Sequence, residues 1–176
     1  MNPLRAFDIP FVGLKSGVHH FKYEIDNLFF QNFKESPITE GKVNVELNFD
    51  KSETFFLLDF QLDGTVNVIC DRCGDPFDKS IENEQRIIVK FGDNEEATDD
   101  DDEVVYISRN ETHLNVAQLI YEFIILSVPI HKVHPIKKGK STCNKEVLKR
   151  LDQLSPEHRE AELNSTWSKL KQIKIK

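Results

Sequence analysis

Apolar side chains recur at every second position through much of the first seventy residues, and that period belongs to strands packed on one side only. His19, Phe21, Tyr23 and Ile25 alternate with Lys22 and Glu24, and Val43, Val45, Leu47 and Phe49 alternate with Asn44, Glu46 and Asn48. Asp50-Lys51-Ser52 reads as a turn into a strand over 54–61, and Asp63-Gly64 has the form of a two-residue hairpin turn leading to a strand over 65–69. Further strands are predicted over 85–91 and 104–107, and a short helical turn after Asp26. An antiparallel β-meander, barrel-like in outline, follows from this punctuation.

One amphipathic helix is predicted to close the sheet over 115–127, where Val116, Leu119, Ile120, Phe123 and Ile124 form a single apolar face. Asn115 and Gln118 have capping-box spacing, with Leu114 and Leu119 placed as a hydrophobic staple. Pro129 and Pro135 enforce extended backbone around them, after which Val147, Leu148, Leu151 and Leu154 predict a second, shorter helix ended by Ser155-Pro156. The expected class is α+β, a meander or barrel-like sheet with one closing helix and a short helical basic C-terminal segment. At 176 residues and 39% hydrophobic content the expectation is one domain. It consists of a β-rich body, 1–130, and a basic segment, 131–176, packed on or extending from it.

Charge is divided unevenly between these parts. The total is 23 basic against 30 acidic residues, net −7. From His131 to Lys176 there are 12 Lys or Arg against 5 Asp or Glu, net +7, so residues 1–130 hold 11 against 25, net −14. Residues 92–103 carry Asp93, Glu95, Glu96 and the run Asp99 to Glu103, which leaves little to bury and predicts a mobile loop. The N-terminus has no apolar core of signal-peptide length, and the most apolar stretch, 123–130, is far short of the ~20 residues that span a bilayer. With three cysteines, an odd number, there is no disulfide framework, so a cytoplasmic protein without a membrane span is expected.

Only one constellation carries possible chemistry. Cys70-Asp71-Arg72-Cys73-Gly74 is a C-x-x-C directly after a strand, a spacing at which two thiolates face one ion from a tight knuckle; Gly74 permits a left-handed turn. Two further ligands are needed, and His131, His134 and Cys143 are the candidates. Extended backbone between the prolines points His131 and His134 in opposite directions, so at most one of them serves. A Cys70, Cys73, His134, Cys143 set would hold zinc and pin the segment after the helix to the cysteine turn. Two other readings stand beside it: reduced thiols packed without metal, and a redox pair. The redox pair is the least supported, because Asp75-Pro76-Phe77 shows no helical period where a dipole would lower a thiol pKa. No phosphate loop, nucleophile elbow or His-Glu-x-x-His is present, so neither an enzyme nor a small-molecule substrate is expected.

The β-rich N-terminal part, the segment Val66 to Phe77 with its C-x-x-C, an acidic loop, and then Leu114 to Ile130 together resemble the YceD family of bacterial large-subunit ribosomal RNA accumulation proteins. The segment Trp167-Ser168-Lys169-Leu170-Lys171-Gln172-Ile173 is similar to that family's closing motif, and the resemblance runs from about Gly41 onward. It implies a non-catalytic role in ribosome biogenesis, in making or stabilising large-subunit ribosomal RNA. Where family members carry further cysteines after the helix, this chain has only Cys143 with His134 nearby, which leaves a mixed Cys₃His set in place of a second knuckle.

The basic segment suits phosphate contact. Lys137, Lys138, Lys140, Lys149 and Arg150 follow the prolines, and Lys169 and Lys171 follow Trp167, an aromatic available for stacking. Ribosomal RNA or a large-subunit ribosomal protein is therefore the expected partner. The alternative is an adaptor without RNA contact, whose acidic loop engages a basic ribosomal protein.

Overall fold

The computed structural model describes residues 3–92, 104–137 and 140–154. After a 3₁₀ turn at Pro3–Phe7 come β1 (Asp8–Ile9), a second 3₁₀ turn at Phe11–Gly13, β2 (Gly17–Ile25) and α1 (Asn27–Phe30). Then follow β3 (Gly41–Lys51), β4 (Phe55–Ile69), β5 (Pro76–Phe91), β6 (Val104–Ile107), β7 (Leu114–Asn115) and α2 (Ala117–Ser127). The last described elements are β8 (Ile136–Lys137), β9 (Lys140–Ser141) and α3 (Lys145–Leu154). The chain divides into two compact units, one of Met1–Ile69 with Pro76–Lys132, the other of Cys70–Asp75 with Val133–Lys176.

In the first unit five strands form one sheet in the order β2-β3-β4-β5-β6. Its edges, β2 and β6, do not pair, so the sheet is open and the barrel-like expectation is corrected. β6 also joins β5 in parallel, where a meander would be antiparallel throughout. The period-two pattern maps onto burial: Val43, Val45, Leu47 and Phe49 of β3 and Phe56, Leu58, Phe60 and Leu62 of β4 point into the core.

Two strands run longer than the sequence pattern suggests. β4 passes through Asp63-Gly64 without turning, because Gly64 lies opposite Val43 and Ile81 where neighbouring backbone is too close for a side chain. A Cβ at Gly64 would meet the Lys42 carbonyl and stand 2.6 Å from Val43 Cα. The glycine marks close backbone approach in a strand, not a hairpin. β5 begins at Pro76, not at residue 85, although Phe77 and Ile81 are the only apolar side chains its first half turns inward.

α2 lays Ile120, Phe123 and Ile124 on the inner face, with the Phe123 ring 5.1 Å from that of Phe60. Asn83 Nδ2 donates to the Phe123 carbonyl at 3.3 Å. The helix starts at Ala117 because Leu114 and Asn115 are drawn into β7, which pairs with β1. Asn115 Nδ2 donates to the Leu4 carbonyl and the Asp8 carboxylate, while its Oδ1 accepts from the Ala117 N–H at 3.0 Å. Gln118 turns to Glu122 at 2.7 Å, so the expected capping box does not form. Asp26 caps α1, accepting from the Leu28 N–H at 2.9 Å, as the helical turn after it requires. Among the described residues no helix is long and apolar enough to cross a membrane.

Candidate metal centre

The second unit is built from a turn, a two-residue-strand hairpin and a helix. In the turn, the Gly74 N–H donates to the Cys70 carbonyl at 2.9 Å and the Cys70 N–H to the Asp75 carbonyl at 3.0 Å. Gly74 has φ +78 with open space around it, so the left-handed conformation, not room, selects glycine there. This closed turn sets Cys70 and Cys73 side by side, both buried.

The remaining two donors flank the β8–β9 hairpin, which the sequence reading did not foresee. Ile136 pairs with Ser141 and Lys137 with Lys140, so His134 and Cys143 emerge from its open end together. Thr142 Oγ1 donates to the Pro135 carbonyl at 2.9 Å and the Cys143 N–H to Ser141 Oγ at 3.2 Å, which holds that end closed. Gly139, between Lys138 and Lys140, is the sequence signal for such a turn. α3 then begins under an Asn144 cap, its Oδ1 accepting from the Glu146 N–H at 3.0 Å.

All four predicted ligands meet. Cys70 Sγ lies 3.9 Å from Cys143 Sγ, Cys73 Sγ lies 3.4 Å from His134 Nδ1, and the four donor atoms are within 4.8 Å of one another. Zinc bonds of about 2.3 Å to sulfur and 2.0–2.1 Å to nitrogen give tetrahedral edges of about 3.8 Å for S···S and about 3.6 Å for S···N. Both measured edges fit a tetrahedral ion to within a few tenths of an ångström. The three thiols are free and buried, and β5, not a helix, follows the turn. His131 is exposed and gives no donor to the group.

The turn also polarises its sulfurs. Burial opposes ionisation of Cys70, yet the N–H groups of Cys73 and Arg72, with His134, outweigh it and bring the thiol down to about 6. Cys73 goes the other way. The N–H groups of Asn144 and Asp75 favour its thiolate, but burial and the adjacent Cys70 and Cys143 thiols push it up. Crowded sulfurs that resist shared negative charge are what a divalent cation relieves.

Of the residues expected to contact RNA, Lys149 and Arg150 are exposed on α3, and Lys137 and Lys140 occupy opposed positions of β8 and β9. Lys138, Trp167, Lys169 and Lys171, and residues 93–103 of the acidic loop, lie outside the described residues.

No curated protein and no solved structure matches the chain. The sequence model of the large ribosomal RNA subunit accumulation protein YceD family matches residues 58–174, more than half of the chain, a span that takes in the cysteine turn, α2, the hairpin and the basic segment. The chain belongs to the YceD family of large ribosomal RNA subunit accumulation proteins.

Proposed function

We propose that this protein is a non-catalytic ribosome-biogenesis factor that supports the accumulation or processing of large-subunit ribosomal RNA. Zinc held by Cys70, Cys73, His134 and Cys143 staples the second unit, and the basic segment contacts RNA phosphates. The observation that carries the reading is the family match over 58–174, which spans both the ligand set and the Lys/Arg-rich segment. It is supported by α3, which starts two residues after Cys143 and exposes Lys145, Lys149 and Arg150. Stapling α3 beside the ligands would give those cations a fixed spacing, which flexible lysines lack.

Depletion tests the biological half: cells lacking the protein should accumulate less mature large-subunit RNA, and normal amounts would refute the reading. Filter binding of ribosomal RNA over a salt series tests the physical half. Each phosphate contact contributes a slope of roughly −0.7 to −0.9 in log affinity against log salt, so contact through several lysines gives a steep loss.

A further inference from the structure

The cysteine turn and the hairpin are separate stretches of chain, and one thiol pair of the centre bridges them. Cys70 Sγ and Cys143 Sγ lie 3.9 Å apart, both residues are buried, and 73 positions of chain separate them. Disulfide sulfurs stand about 2.05 Å apart, so an approach of about 1.9 Å would join this pair. Neither residue is locked inside a strand or helix. Cys70 follows the end of β4, and Cys143 lies between β9 and α3.

Cys73 is placed differently. Its sulfur lies 3.4 Å from His134 Nδ1. It also shares with Cys70 a turn closed by two hydrogen bonds, from the Gly74 N–H to the Cys70 carbonyl and from the Cys70 N–H to the Asp75 carbonyl, so drawing those two sulfurs together strains the turn. A Cys70–Cys73 bond would tie nothing outside the turn. A Cys70–Cys143 bond would hold the same two segments that an ion holds, and it closes a loop long enough to restrict the unfolded chain strongly. His134 is the one member of the set that is not buried, which leaves its side of the centre open to a small oxidant.

We propose that a peroxide-class oxidant exchanges the ion of this centre for a Cys70–Cys143 disulfide, an inference that rests on zinc being held there. One of the two thiolates attacks a peroxide oxygen; the O–O bond breaks, hydroxide departs, and the sulfur becomes a sulfenic acid. The other thiolate attacks that sulfur, and a second hydroxide departs as the S–O bond breaks and the S–S bond forms. Two electrons pass from the sulfurs to the peroxide. Cys73 and His134 alone are too few ligands to retain zinc, which leaves while the turn stays tied to the start of α3.

Full-length, zinc-loaded protein at low micromolar concentration, treated with hydrogen peroxide, tests this. A zinc indicator follows the metal, and mass spectrometry of a non-reduced tryptic digest identifies the link. Cleavage after Arg72 separates the two cysteines of the turn, so the possible links give different peptides. About one zinc per chain should be released, with the Cys70 peptide joined to the Cys143 peptide and Cys73 open to alkylation. Cys73→Ser removes neither partner and should form the same link. A dominant Cys70–Cys73 link, a link between chains, or zinc retained after the thiols are oxidised would overturn the proposal while leaving the metal centre standing. Failure to bind zinc before any oxidant is added would overturn the centre, and the exchange with it.

Discussion

Asn144 Nδ2 donates to the Asp75 carboxylate across 3.1 Å, while Oδ1 of the same side chain accepts from the Glu146 N–H at 3.0 Å. One residue thus ties the end of the cysteine turn to the start of α3, next to Cys143. Asn144→Ala removes both links and should weaken metal binding about ten-fold and cost about 1 kcal/mol of stability. Competition with a chromogenic chelator and urea unfolding read the two effects. An unchanged affinity would show the link to be idle.

Protein purified without chelator should contain about one zinc per chain, and Cys73→Ser or Cys143→Ser should lose it. Elemental analysis decides this, and cobalt substitution should give the thiolate-to-metal absorption of a tetrahedral site. Fresh, reduced protein free of metal would count against the centre.

Acid should release the metal, and the Cys70 thiol, brought down to about 6, sets the direction. A lowered folded pKa means that this group stabilises the fold fully above its ordinary value near 9 and loses that contribution as pH falls towards about 6. Binding must also displace the proton of Cys73, whose pKa is raised, so zinc affinity should fall steadily as pH is lowered. An affinity independent of pH, followed with a zinc indicator, would contradict thiolate ligation.

Two glycines should behave differently. Gly64→Ala drives a methyl into the β3 backbone and should cost several kcal/mol, on the order of 3 or more, because no side chain can move aside. Gly74→Ala meets open space but a left-handed backbone, with a penalty of about 1 kcal/mol. Chemical denaturation of both variants gives the comparison.

Asp63 and Glu82 are opposed across β4 and β5, so neutralising either one should be measurable. Asp63→Asn or Glu82→Gln should leave stability unchanged or raise it by roughly 0.5 kcal/mol. A loss of more than about 1 kcal/mol on thermal melting would mean that these carboxylates support the sheet.

The inner face of the sheet was legible because burial on one side writes a period of two into the chain, as in Val43 to Phe49 and His19 to Ile25. The ligand set was legible from residue type, since two cysteines in a knuckle leave few partners elsewhere in the chain. What escaped was set by neighbours distant in sequence. Gly64 looks like a turn until β3 is seen pressing against it, and Asn115 looks like the start of a helix until Leu4 and Asp8 claim its side chain. The first half of β5 offers Phe77 and Ile81 among charged residues, too sparse a signal without β4 beside it. The β8–β9 hairpin has strands of two residues, below the length at which any period shows.

Cys73 and His134 meet across 61 residues of chain, and Cys70 and Cys143 across 73. During synthesis the cysteine turn is complete long before its second pair of donors exists, so a nascent chain carries half a binding site until the hairpin emerges. Closing so long a loop has an entropic penalty that grows only slowly with its length, and an ion held at the junction offsets it in one step. Metal capture by this set would then report that the segment following α2 has been made and has folded back, a check on completeness that short-range ligands could not supply.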